Sequence, residues 1–109
     1  ENRRINWRLN LVYSSSVEQL ESIRNEIKQF ILDDNDFLDG ENFDPVVRIV
    51  ELGASSIDVL IVAYAPKMGF APFNELKEKL IFNIMKIVKK NGSEFAYPST
   101  SLYVESMPE

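Results

Sequence analysis

The chain of 109 residues contains no cysteine and no histidine. Without cysteine there is no disulfide and no thiolate metal ligand. Without histidine there is no Cys–His pair and no Ser–His–Asp triad. The lack of cysteine fits a reducing compartment, although many secreted chains share it. A basic excess is also missing. Twelve Lys and Arg against 17 Asp and Glu give a formal net charge of −5. That is the wrong sign for a phosphate backbone, so nucleic acid is not an expected partner. No apolar run approaches the roughly 20 residues that a membrane helix needs. The longest, VLIVAYA at 59–65, is strand-sized. The opening ENRRINWR lacks the apolar core of a signal peptide. The chain starts at Glu1 rather than Met and stops at Glu109, with no low-complexity stretch at either end. These abrupt ends suggest a piece of a longer protein.

What is present is ordinary for one globular domain: 45% hydrophobic and 27% charged residues. Ile5, Trp7, Leu9, Leu11 and Tyr13 alternate onto one face and predict a first strand. Ser15 with Glu18 three residues later resembles a capping box, so a helix should follow. Val17, Leu20, Ile23, Ile27, Phe30 and Ile31 give it one apolar stripe. An acidic stretch, DDNDFLDGENFD, ends it, and Pro45 leads into a second strand, Val46 to Leu52. A third strand, Ile57 to Tyr64, is apolar on both faces apart from Asp58, which predicts a central place in the sheet. Pro72 suits the first turn of a second helix. Its stripe is Phe73, Leu76, Leu80, Ile84, Ile87 and Val88, with Glu75 and Glu78 early and Lys86, Lys89 and Lys90 late, as the helix dipole favours. Asn91-Gly92 reads as its carboxyl cap. Phe95-Ala96-Tyr97 is a short apolar piece ended by Pro98, and Ser101 to Glu105 alternates as one more strand.

The order strand, helix, strand, strand, helix, strand is the ferredoxin-like split βαβ arrangement, an α+β fold with two helices on one face of an antiparallel sheet. The first and third strands should be central. Val12, Leu60, Val62 and Tyr64 cannot all face the helices, so part of the other face should be apolar and available to a partner.

Three stretches invite a chemical reading. The acidic loop fails as a calcium loop, because counting back from Gly40 puts Phe37 at a ligand position; it reads as a solvated connection. In Glu51-Leu52-Gly53-Ala54-Ser55-Ser56-Ile57 the serines have no histidine and no nearby lysine to activate them. The loop also leads from strand to strand, whereas phosphate loops lead into a helix. A hairpin is the better reading, with Gly53 supplying a positive φ or close packing. Lys86, Lys89 and Lys90 read as a dipole-matched helix end. No metal, cofactor or catalytic residue is expected.

Four stretches carry a family resemblance. They are Asn2-Arg3-Arg4-Ile5; Leu11-Val12-Tyr13 with the helix VEQLESIRNEIKQFI; VRIV at 47–50 with ELGASSI; and Gly92 with the closing FAYPS at 95–99. Together they resemble the carboxyl-terminal cytosolic domain of the small-conductance mechanosensitive channel family, MscS. ELGASSI with FAYPS is the most specific part. The tip of the 66–72 loop, PKMGFAP, matches no motif of the family.

The resemblance implies a non-enzymatic part of a channel that opens under bilayer tension and releases ions and osmolytes in osmotic shock. The gate and sensor helices would precede Glu1. The domain would lie on the cytoplasmic side of the bacterial inner membrane, as the wall of a homo-oligomeric, typically heptameric, vestibule. Residues 1–98 would form the ferredoxin-like unit and 99–109 the strand segment of an intersubunit β-barrel. On that pattern Phe95–Tyr97 is the short edge strand, in place of Ser101–Glu105. The motif positions are Arg3, Arg4, Glu51, Leu52, Gly53, Ser55 and Ser56, and the implied subunit interface takes in Phe95, Tyr97, Pro98, Leu102 and Val104. A reading from another class stays open at this point: a ferredoxin-like regulatory domain that binds a small ligand and pairs through sheet edges.

Overall fold

The computed structural model describes residues 2–96. Strand β1 (Arg3–Leu11) is followed by helix α1 (Val17–Asp33), strands β2 (Val46–Leu52) and β3 (Ile57–Ala65), and helix α2 (Phe70–Lys90). The strands form an antiparallel sheet in the order β1-β3-β2. The α+β class and the central β3 are as the sequence predicts. Beside the free edge of β1, Phe95 makes one antiparallel bridge to Leu11. That is the place of the short edge strand; Tyr97, Pro98, Leu102, Val104 and the 101–105 strand lie outside the described residues.

Alternation along the strands builds the core. Ile5 and Leu11 of β1, Val47 of β2, and Val59, Ile61, Ala63 and Ala65 of β3 turn to the helix side. Ile23, Ile27 and Ile31 of α1 and Phe73, Leu76, Leu80, Ile84 and Val88 of α2 meet them there. Residues three and four apart share one side of a helix, so each stripe buries as a unit. α1 packs on β2 and on α2.

Several local details differ from the sequence reading. The helix cap is Ser16, whose hydroxyl accepts from the Gln19 amide while the Gln19 side chain accepts from the Ser16 amide. The box is thus one residue later than Ser15–Glu18, and the Ser15 hydroxyl pairs with that of Ser93 at 2.7 Å instead. Val17, as the first helical residue, stays exposed at the edge of the stripe. β1 ends at Leu11, so Tyr13 sits in a turn and is exposed. α2 begins at Phe70, with Pro72 inside its first turn; that turn holds no acid, whereas Lys89 and Lys90 do occupy the last. Gly92 has a φ of 77°. Its amide reaches the Lys89 carbonyl and the Ser93 amide reaches that of Val88, which is a Schellman cap.

The acidic connection is solvated at Asp33, Asp36, Asp39, Glu41 and Asp44, as the sequence predicts, but its apolar residues anchor it. Phe37 is buried in the core, Leu38 bridges Tyr64, and Phe43 packs edge-on against the Tyr64 ring at 5.6 Å. Asp34 and Asp36 both hold the Lys79 ammonium, at 2.7 and 2.9 Å. Those two hydrogen bonds raise the Lys79 pKa above its ordinary value. Across the two helices, Glu26 accepts from Lys90, Ser22 and Asn91, and the Lys90 bond leads in holding its carboxyl below the usual value.

Candidate functional site

The helix-free face of the sheet carries the even-numbered residues of β1 and β3. Cross-strand pairing sets Arg4 opposite Tyr64, Asn6 opposite Val62, Arg8 opposite Leu60 and Asn10 opposite Asp58. β2 adds Val46 beside Val62, Arg48 beside Leu60 and Glu51 beside Asp58. Leu60, Val62 and Tyr64 do point away from the helices. They are only partly exposed, and Val62 is buried in the row between Asn6 and Val46. Val12 lies beyond the end of β1. The open face is therefore an apolar strip flanked by arginine and asparagine side chains.

At one end of this face the ELGASSI hairpin is tied down by polar groups. Ser56 is buried, and its hydroxyl donates to Asp58 Oδ1 at 2.8 Å. Asn10 Nδ2 donates to the Ser56 hydroxyl at 3.0 Å and to Asp58 Oδ1 at 3.4 Å. Arg8 Nη1 lies 3.4 Å from Asp58 Oδ2 and 3.5 Å from Glu51 Oε1. The Tyr13 hydroxyl donates to the Gly53 carbonyl. One network thus joins β1, the hairpin loop and both hairpin strands. No buried side-chain polar atom among the described residues lacks a partner, which is the condition under which buried polar groups do not destabilise.

This geometry decides the chemistry of the loop. The Ser56 hydroxyl donates to a carboxylate that is itself paired with Arg8, so it ties the hairpin loop to β3 and β1. Ser55 is exposed. Gly53 does not have a positive φ; among the described residues only Gly40 and Gly92 do. Its role is close approach: its amide donates to the Ser56 carbonyl at 2.7 Å, and a Cβ there would meet that same oxygen at 3.2 Å. Among the described residues no group of three or more acids could hold a metal ion.

The arginine pair is split between the two faces. Arg3 turns to the helix side, where Nε and Nη2 donate to the Met68 carbonyl at 3.2 and 3.1 Å and the guanidinium lies 5.0 Å from the Phe73 ring centre. It fastens β1 to the 66–69 loop and the start of α2. Arg4 is exposed on the open face. Leu52, at the end of β2, is 72% exposed. The participation of Arg8, Asn10 and Asp58 was not visible as a motif. Its one sequence signal was Asp58 itself, the lone acid in an otherwise apolar strand.

A second surface feature lies at the other edge of the sheet. Ile81, Phe82 and Met85 are exposed on α2. Beside Met85 runs an open groove of 530 Å³, lined by Val88, Lys89, Gly92, Ser93, Glu94 and Phe95 as well. Among the described residues no helix is long and apolar enough to cross a membrane.

Comparison with known proteins identifies this architecture. The sequence model of "Mechanosensitive ion channel MscS, C-terminal" matches residues 5–95. An MscS family protein of Aquifex aeolicus is 37% identical over 107 residues, which is 98% of this chain and 28% of that protein. One from Helicobacter pylori is 35% identical over 95 residues, 87% of this chain and 15% of that protein. The chain thus spans less than a third of these relatives. Among solved structures, the cryo-EM structure of Arabidopsis thaliana MSL1 superposes with a TM-score of 0.80 at 19% identity, covering 90% of this chain and 35% of that one. The crystal structure of Helicobacter pylori MscS in its closed state gives 0.66 at 23% identity, covering 88% and 35%. These two likenesses concern the fold. The sequence matches, which run through both helices and all three strands, place the chain in the MscS mechanosensitive ion channel family, as its C-terminal domain.

Proposed function

We propose that the chain is the vestibule wall of a tension-gated channel, with a structural and filtering role and no bond-making chemistry. The pore and tension-sensing helices lie in other parts of the full-length protein. The wall stands on the cytoplasmic side of a bacterial inner membrane, built from several copies of the chain around one axis, seven on the family pattern. Residues 1–98 form the wall unit, and 99–109 supply one strand to a barrel shared between copies. Phe95, Tyr97, Pro98, Leu102 and Val104 belong to the contact between copies.

The observation that carries this reading is the family match over residues 5–95. The local chemistry agrees with it. A wall needs a stiff unit, and here a buried apolar core, two helix clasps and a fully paired polar network stiffen it. A filter needs fixed charges beside the solute path. The exposed arginines of the open face outside the Asp58 network, Arg4 and Arg48, would meet that need.

The test is the full-length protein carrying this domain, expressed in cells stripped of their own tension-gated channels. Survival of a sudden dilution of the medium is the expected result. Cells that die like the empty-vector control, despite channel protein in their membrane, overturn the reading.

A further inference from the structure

A hollow of 250 Å³ opens between α1 and the outer strand β2. Arg24, Asn25 and Lys28 line it from the helix, and Val47 and Arg48 from the strand. Three of these residues are cationic and none is acidic, although the whole chain carries a net charge of −5. Other hollows mix the signs: Asp36 and Glu75 accompany Lys79 in one, and Glu94 accompanies Lys89 in another.

Secondary structure brings the cations together. Arg24 and Lys28 stand four apart on α1, so they share one side of the helix, a turn apart. Each follows a buried isoleucine, Ile23 or Ile27, at the margin of the core stripe, and both are half-buried. Arg48 follows the buried Val47 on the outermost strand, so it borders both the open face and the hollow.

Like charges at this helical spacing repel, and half-burial weakens the screening by water. Little within the domain offsets that cost. Among the described residues the one carboxylate within 4 Å of these three cations is Asp44, 3.7 Å from Lys28 Nζ and exposed. Asn25 adds to the imbalance. Its Oδ1 accepts from Arg24 Nε at 3.1 Å. That bond engages the one side-chain acceptor in the lining and leaves Asn25 Nδ2 and both Arg24 Nη groups as donors.

We propose that this hollow binds a small soluble compound through a phosphate group carrying two negative charges. Guanidinium groups present paired N–H donors that fit the oxygens of such a group, and an ammonium adds a point charge. The charge follows from the count: three cations against one carboxylate leave a surplus of two. A chloride ion or a single carboxylate would leave one cation unmatched. An anionic bilayer repels a chain of net charge −5, which favours a soluble compound over a lipid headgroup. The inference concerns this domain by itself and does not depend on the channel reading.

The test is a titration of the nitrogen-15-labelled chain with pyrophosphate, set against sodium chloride at matched ionic strength. Saturable shifts of amide signals confined to residues 24–28 and 46–49 are expected with pyrophosphate and not with chloride. Arg24→Gln and Arg48→Gln should each weaken binding about tenfold, the worth of one charge-assisted contact. Arg24→Gln has a second signature. It removes the repulsion from Lys28, so the anion-free chain should melt at the same temperature or higher, while the rise in melting temperature with pyrophosphate shrinks. A purely structural Arg24 would instead lower the anion-free melting temperature and leave that rise intact. Shifts that never saturate, that extend equally to Lys86, Lys89 and Lys90, that chloride reproduces, or that persist unchanged in both variants would overturn the proposal. Sedimentation with phosphatidate vesicles, without saturable pyrophosphate binding, would assign the patch to a membrane surface and overturn it too.

Discussion

The two faces of the sheet are built on opposite chemistry. On the helix side Leu11, Val59, Ile61 and Ala63 are at 0% exposure, packed against equally buried Ile23, Ile27 and Leu80. On the other side of the same strands, Arg4, Arg8 and Arg48 surround Leu60 and Val62, and Asp58 anchors a hairpin through Asn10, Ser56 and Arg8. The first face holds the domain together by removing apolar area from water. The second holds one loop in place by pairing charges and hydroxyls, and exposes Arg4 and Arg48 on its surface. Rigidity thus comes from one side of the sheet and surface chemistry from the other.

Neighbouring residues of β3 sharpen that contrast most. Ile61→Ala, on the helix side, should cost about 2–5 kcal/mol in a urea melt, because it leaves a cavity in a packed core. Leu60→Ala, one residue away on the open face and only partly buried, should cost less than half as much. Equal losses would break the comparison. Gly53→Val comes next, at about 1–3 kcal/mol, since its branched side chain must displace the Ser56 carbonyl. An unchanged melting temperature would remove the close-approach role of Gly53. Asp58→Ala strips the acceptor from Ser56, Asn10 and Arg8, for about 1–2 kcal/mol by thermal melting. Its companion signature is faster amide exchange confined to residues 53–57, which a general core defect would not confine.

The smallest effect belongs to the helix clasp. The Glu26 carboxyl is held below its ordinary value of 4.5, first by Lys90. A depressed carboxylate contributes stability above its ordinary value and loses it as pH falls through the folded one. Glu26→Gln should therefore make the stability less sensitive to acid below 4.5, by under about 1 kcal/mol for so exposed a pair. The Lys79 ammonium, raised above 10.5 by Asp34 and Asp36, works in the opposite sense. Its contribution is full below 10.5 and fades as pH rises through the folded value.

How much of this could be read from sequence follows the range of the interactions. β2 was bounded correctly and β3 to within one residue, because alternation and flanking turn residues act locally. The helix stripes were legible for the same reason, down to Ile23, Ile27 and Ile31. The cap was misplaced by one residue because Ser14, Ser15 and Ser16 offer three similar hydroxyls. Only the turn at Val12–Ser15 decides among them. The Asp58 network was not legible, since it depends on the register that sets Asn10 and Glu51 beside Asp58. Alternation alone sends Arg3 and Arg4 to opposite faces, but the partners of Arg3, Met68 and Phe73, lie more than 60 positions away and depend on the tertiary fold. Lys79 between Asp34 and Asp36 spans more than 40 positions, and composition alone made those acids look like free surface.

The central proposal is that this domain belongs to a pore opened by membrane tension. Its most direct measurement is current through excised patches holding the full-length protein, recorded while suction is stepped upward. The account predicts discrete conductance steps whose open probability rises with suction and returns to zero on release. Patches that contain the protein and stay silent up to rupture, or that conduct equally at every pressure, would contradict it.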